Sequence, residues 1–279
     1  MQLFSGHARG RKFVLVDIGS ASVGAAGILV LPEGRAVVVW AEREIIPIAE
    51  RLEPTHFFSA TLHALKVLAA PRLSAGHRRE LAGIERAHIF LHAPWIVSKT
   101  RSVRADFSEP TLLTESALAS VIREAEKGIT ENFRAAHREI AEAVRAVEKK
   151  ITEYRVNGYE VSSAVGQKAQ TLELTLLESF APENAVARFA ASLSALTLAP
   201  LEWHGAAAAC AGARAALAHG EGDTLTLSAG GEATEVCITR RGVLHEVVSL
   251  PLGMRTAARA VWEEGAAHSV AAAEALLRA

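Results

Sequence analysis

Short apolar runs bounded by turn residues alternate with amphipathic stretches along this chain, a succession that predicts a mixed α/β fold. Val14-Leu15-Val16 runs into Asp17-Ile18-Gly19-Ser20-Ala21-Ser22, a second apolar run continues from Val23 to Leu31, and Pro32-Glu33-Gly34 forms a turn before a third predicted strand over 36–40. The same succession returns far along the chain. Leu225-Thr226-Leu227-Ser228-Ala229-Gly230-Gly231-Glu232-Ala233 leads into a strand over 234–239, an Arg240-Arg241-Gly242 turn and a further strand over 243–248. A strand, turn, strand, turn and strand unit present twice predicts two similar lobes facing each other. The small residues in both turns let backbone N–H groups approach a phosphate closely, so a nucleotide is the expected occupant of the cleft between them.

Between the two copies the pattern changes twice. Pro54 opens a predicted helix with Phe58, Leu62, Leu65 and Ala69 on one face, 76–83 is a polar connection, and 87–91 reads as a strand. Lobe one resumes with a helix carrying Val186, Phe189, Ala190, Leu193 and Leu196, a strand over 200–203 and an Ala-rich helix over 206–217. An insert separates these pieces. It begins with a strand over 95–103 and a helix opening near Thr114, with Leu118, Val121, Ile122 and Ala125 in helical register. A charged helix is then predicted over 135–150, followed by a hairpin turning at Asn157-Gly158 and a long strand over 170–180. The expected organisation is residues 1–93 for the first part of lobe one, 94–180 for the insert, 181–222 for the rest of lobe one and 223–279 for the start of lobe two. With helices over 256–264 and 269–277 only, lobe two is expected to be incomplete, leaving one sheet face and one edge poorly covered.

Composition narrows the function classes. The 279 residues are 50% hydrophobic and 22% charged, enough for a substantial core, and the formal net charge of −1 supplies no field for nucleic acid. The basic runs at Arg9-Gly10-Arg11-Lys12 and His77-Arg78-Arg79 lack interleaved aromatics and read as solvated surface. Cys210 and Cys237 are the only cysteines, which excludes a disulfide framework and fits a reducing cytoplasm. No apolar run is long enough to span a bilayer, and residues 1–12 lack the apolar core of a signal peptide. His88 and His92 lie on a predicted strand about 13 Å apart, which argues against a shared metal ion.

Two common phosphate motifs are excluded. Gly19 and Gly24 have Walker spacing, but Ala25-Ala26 stand where Lys and Ser or Thr are needed. A dinucleotide fingerprint leads from a strand directly into a helix, whereas Val23, Ile28, Val30 and Leu31 continue as another strand.

Taken together, these residues resemble the actin-like ATPase superfamily, in particular its FtsA/PilM-like bacterial branch. Residues 16–23 are similar to the first phosphate loop, 227–235 to the second, and Leu250-Pro251-Leu252-Gly253 to the glycine-containing turn after it. Asn157-Gly158-Tyr159-Glu160-Val161 and Gly166 resemble parts of the strand-helix-strand-strand domain that this branch carries. The resemblance implies an α/β actin-like (ribonuclease H-like) lobe, that inserted domain and an incomplete second lobe. It also implies an ATP site formed by Asp17, Gly19, Ser20 and Ser22 with Gly230, Gly231 and Glu232, and magnesium held by Asp17. The implied role is a cytoplasmic adaptor, peripheral to the inner face of the membrane through its partner. That partner is a tubulin-like division protein or an inner-membrane pilus protein, and self-association is a further expected contact.

The chain also departs from that branch. Ser228 stands where the second loop carries Asp, and Ala233 where it carries a hydroxyl, so Asp17 alone is left for the metal. The adenosine-binding glycine motif is expected beyond residue 279. With these departures the resemblance implies weak ATP binding or none, and no efficient hydrolysis. The alternative is an active ATP-dependent enzyme of the same superfold, an ATPase or sugar kinase, for which the sequence presents no candidate base.

Overall fold

Strand β1 (Arg11–Ile18) sits at the middle of a five-stranded sheet. It pairs antiparallel with β2 (Ser22–Val30), which pairs antiparallel with β3 (Ala36–Ile45). On its other side it pairs parallel with β4 (Ile84–Leu91). The sheet order is β3-β2-β1-β4-β9, where β9 (Leu201–Gly205) is again parallel. The computed structural model describes residues 10–70, 82–126, 143–218 and 222–278. The basic run at His77-Arg78-Arg79, Arg9, most of the 76–83 connection and the 135–142 part of the predicted charged helix lie outside the described residues.

One face of this sheet is sealed by two helices. α1 (Pro54–Ala69) starts on Pro54, whose fixed φ suits the first helical position, and buries Leu62, Leu65 and Leu68. A later helix, Glu183–Leu193, buries Val186, Phe189 and Leu193 against the same core as Val14, Val16, Ile18, Ile89 and Leu91. Trp95 stacks on Phe57 at 4.9 Å and meets Phe189 edge-on at 5.4 Å. Each such fully buried side chain contributes about 1.5–3 kcal/mol. This face therefore anchors lobe one, and the opposite face, with Leu15, Asp17, His88, Phe90 and His92, is left for the cleft.

The insert forms a four-stranded antiparallel sheet in the order β5-β8-β6-β7. Its strands are β5 (Val97–Leu112), β6 (Val144–Val156), β7 (Tyr159–Val161) and β8 (Lys168–Pro182). Helix α2 (Glu115–Glu126) follows β5 and packs Leu118, Val121 and Ile122 on Leu172, Leu174 and Leu176. Thr114 accepts the Ala117 N–H at 3.1 Å as its cap. The hairpin turns through Asn157 and Gly158 at φ of 53° and 82°, the doubly left-handed geometry for which Asn-Gly is suited. Against expectation, residues 144–150 belong to β6 and not to a helix. Pairing with β8 overrides the helical propensity of this charged stretch, and the first predicted strand of the insert runs on to Leu112.

The helix Glu183–Leu193 is α3, and α4 (Ala206–Ala218) follows β9. Ala207 and Ala211 of α4 pack against Cys237, Leu244 and Val247 of the second three-stranded unit. That unit is the meander β10 (Thr224–Ala229), β11 (Thr234–Arg240) and β12 (Val243–Leu250), followed by α5 (Met254–Glu263) and α6 (Val270–Arg278). Leu225 and Leu227 on the edge strand β10 are 60% and 65% exposed. No helix among the described residues is long and apolar enough to cross a membrane.

Candidate functional site

The two small-residue turns meet. Ser20 is buried at the tip of the β1–β2 turn, and its Oγ accepts the Glu232 N–H at 3.0 Å. A Cβ placed on Gly231 would sit 2.9 Å from the Ala21 Cβ and 3.0 Å from the Ala21 nitrogen, so only glycine allows the loops this close. Each turn also closes on itself: Gly19 N–H donates to Ser22 O at 3.1 Å and Gly230 N–H to Ala233 O at 2.8 Å. The first N–H groups of α5 are spent in the same way, with Met254 donating to Gly230 O at 2.9 Å and Arg255 to Gly231 O at 2.8 Å. Trp95 Nε1 donates to Gly19 O at 3.2 Å and so ties the first turn to the aromatic core.

Gly253 precedes α5 where it presses against the second turn. A Cβ there would overlap the Gly231 carbonyl and stand 2.8 Å from the Ala233 nitrogen. Both obstacles are backbone, so they cannot rotate away. Gly253→Ala is expected to lower stability by about 1–3 kcal/mol, read as a shift in the urea midpoint, because the turn and helix must separate to admit the methyl group.

Several cationic side chains surround the turns. Asp17, Gly24 and Arg43 form a row across β1, β2 and β3, and the missing side chain at Gly24 lets the Arg43 guanidinium lie flat on the sheet. Arg43 Nη2 donates to Asp17 Oδ2 at 2.8 Å and Nη1 to Ser22 Oγ at 2.7 Å. His92, just past β4, places Nε2 2.8 Å from Asp17 Oδ1 and Nδ1 3.1 Å from Glu235 Oε2. Burial alone lowers the basicity of His92, but hydrogen bonds and charge from Asp17 and Glu235 outweigh it and hold its pKa up at about 9. Burial raises Asp17, and His92 and Arg43 more than offset it, leaving its carboxyl below the usual range. At neutral pH His92 is therefore an imidazolium linking β1 of lobe one to β11 of lobe two.

Arg255 and Arg259 complete the set from α5. Arg255 is 1% exposed and donates to Ser20 O at 3.2 Å, to Ala21 O at 3.4 Å, to Ile46 O and to Glu274 at 3.0 Å. Arg259 grips Glu232 with two parallel bonds of 2.8 and 2.9 Å. Glu232 thus turns away from the cleft. Glu235 stands opposite Ser228 on the neighbouring strand and places its carboxylate against His92.

A cleft of about 340 Å³ remains, lined by Asp17, Gly19, Ser20, Ser22, Gly230 and Gly231 among others, with Arg43, His92 and Glu235. Of the residues expected to hold a nucleotide, six are brought together there and Glu232 is diverted. Several of the groups expected to hold a magnesium–ATP complex are already engaged within the protein. Both oxygens of Asp17 already face cationic donors, the turn N–H groups of Gly19, Gly230 and Glu232 are bonded within the protein, and the Asp17–His92–Glu235 contact crosses the cleft. His92, Arg43, Arg255 and Arg259 were missed in the sequence because each meets its partner across distant segments.

The central sheet order, the inserted sheet and the apposed turns define an actin-like ATPase fold. The PilM–PilN type IV pilus biogenesis complex contains a chain that superposes with a TM-score of 0.59 at 15% identity, over 94% of this chain and 68% of that one. A Bacteroides thetaiotaomicron protein of actin-like ATPase fold matches at 0.39 and 11%, over 95% and 80%. The ethanolamine utilization protein EutJ from Carboxydothermus hydrogenoformans matches at 0.41 and 12%, over 95% and 60%. No protein-family model and no curated protein matches the sequence.

Proposed function

We propose that this chain is an actin-like adaptor of the FtsA/PilM type that acts through protein–protein contacts at the cytoplasmic face of a membrane, with ATP bound weakly or not at all. The observation that carries the reading is the Asp17–His92–Glu235 bridge, in which side chains of both lobes hold each other where a nucleotide and its metal would otherwise sit. A fold of this kind with its lobes joined internally is suited to presenting surfaces. The partner is an inner-membrane pilus assembly protein in preference to a tubulin-like division protein. Support for that choice is the match to a chain from a pilus biogenesis complex. Residues 94–180 are the proposed contact region, for partners and for self-association.

The test is equilibrium binding of labelled ATP with magnesium to the purified chain and to Asp17→Ala. No saturation below about 1 mM nucleotide is expected for either. Micromolar binding with phosphate release that Asp17→Ala abolishes would overturn the proposal and favour an active ATPase.

A further inference from the structure

On the same sheet face as His92, but nearer the β9 edge, three ligand-bearing side chains converge. In the parallel β4–β9 pair His88 lies opposite Glu202 and Phe90 opposite His204. Alternation along a strand therefore sends His88, Glu202 and His204 to one side. His88 Nδ1 is 3.0 Å from His204 Nε2 and 3.3 Å from Glu202 Oε2, and one ligand atom from each residue lies within 4.8 Å of the others. We propose that these three residues form a binding site for a divalent transition-metal ion of the zinc class.

The spacing fits the chemistry. Zinc bonds of about 2.0–2.1 Å in a tetrahedron place neighbouring ligand atoms roughly 3.3 Å apart, and two of the observed separations are 3.0 and 3.3 Å. Two imidazoles and one carboxylate leave a fourth position, and the three side chains are 25%, 34% and 27% exposed, so water reaches it.

The surroundings hold the ligands in place. The His204 ring stacks on Phe90 at 5.2 Å and on His88 at 5.3 Å, and Phe13 packs on His88 at 5.7 Å. Arg86 takes Glu202 Oε1, which turns Oε2 toward His88. Behind the site, Glu148 of β6 approaches His204 Nδ1 at 3.7 Å, the nitrogen facing away from the cluster. Its other oxygen accepts the Gly205 N–H at 2.9 Å and lies 3.4 Å from Ser179 Oγ. A carboxylate behind a ligating imidazole is the usual outer partner that sets tautomer and basicity. Because Glu148 belongs to the inserted sheet and the ligands to lobe one, a bound ion would fasten the two together.

The experiment titrates the untagged, metal-stripped chain with Zn²⁺ against a chromophoric chelator, with Co²⁺ as a spectroscopic probe. One ion per chain is expected, with the intense visible bands of four-coordinate cobalt and a thermal midpoint that rises with zinc concentration. His88→Ala and His204→Ala are each expected to weaken binding at least about 100-fold, and Glu148→Gln about 10–100-fold with the cobalt bands kept. His56→Ala, an imidazole 83% exposed on α1, is expected to bind as the parent does. Failure of the parent chain to take up one ion, or uptake that persists in a folded His88→Ala/His204→Ala double variant, would overturn the proposal.

Discussion

Arg255→Ala is expected to destabilise the protein by about 3–5 kcal/mol, the cost of breaking a buried charged network from one side. The guanidinium is 1% exposed and serves three backbone carbonyls, of Ser20, Ala21 and Ile46, together with the Glu274 carboxylate. Alanine leaves the Ser20 and Ile46 carbonyls without this donor, while Glu274 keeps Arg278 and the Ala21 carbonyl keeps the Ile46 N–H, and it opens a void the size of the lost side chain. Glu232 keeps Arg259, so it is not stranded, and this places the estimate within the stated range and not above it. Arg255→Lys tests whether charge or geometry matters. A single ammonium cannot span carbonyls on both the β1–β2 turn and the segment after β3, so lysine is expected to recover less than half of the loss. Urea unfolding followed by tryptophan fluorescence reads both variants. A loss below about 1 kcal/mol for alanine would mean that the guanidinium is not committed to these partners.

The elements that carry the fold were legible wherever local signals agree. Apolar runs in β1, β2, β10 and β11, Pro54 at a helix start, a helix opening near Thr114 and Asn157-Gly158 as a turn each act over a few residues. Only the first half of β6 was hidden, and for a physical reason. Irregularities between Ala146 and Glu148 and between Ile151 and Glu153 shift its phase twice, which erases the period-two pattern and leaves only the helix-forming composition of its first half. At the site, both turns were legible from their small residues. Their neutralisation was not, because it depends on register. Arg43 reaches Asp17 only across Gly24, and Glu235 stands beside Ser228 only through antiparallel pairing. The deeper consequence is chemical. With the neutral Ser228 opposite it, the Glu235 carboxylate pairs with the His92 imidazolium.

That imidazolium makes stability depend on pH in a predictable direction. With the folded pKa of His92 at about 9 against an ordinary 6.5, the bridge contributes roughly 3 kcal/mol at 1.4 kcal/mol per tenfold change. Below pH 6.5 both folded and unfolded chains carry the proton, and the whole contribution is present. Above it the unfolded chain releases the proton while the folded chain retains it, so the contribution falls steadily and is gone above about 9. The neighbouring groups act outside this window. Asp17, held low mainly against its burial by His92 and Arg43, contributes above 3.8 and loses its contribution only in acid. The Cys210 and Cys237 thiols are pushed up by burial from 9.0, Cys237 to about 12, and weigh only at more alkaline pH. Unfolding free energies from urea titrations between about pH 6 and 9 are therefore expected to decline by that amount in the parent chain. His92→Gln should start lower at pH 6 and run nearly flat to pH 9. A parent profile as flat as the variant's would show that the bridge between Asp17 and Glu235 carries no proton of its own, and with it the reason for the two lobes to stay joined without a nucleotide would be lost.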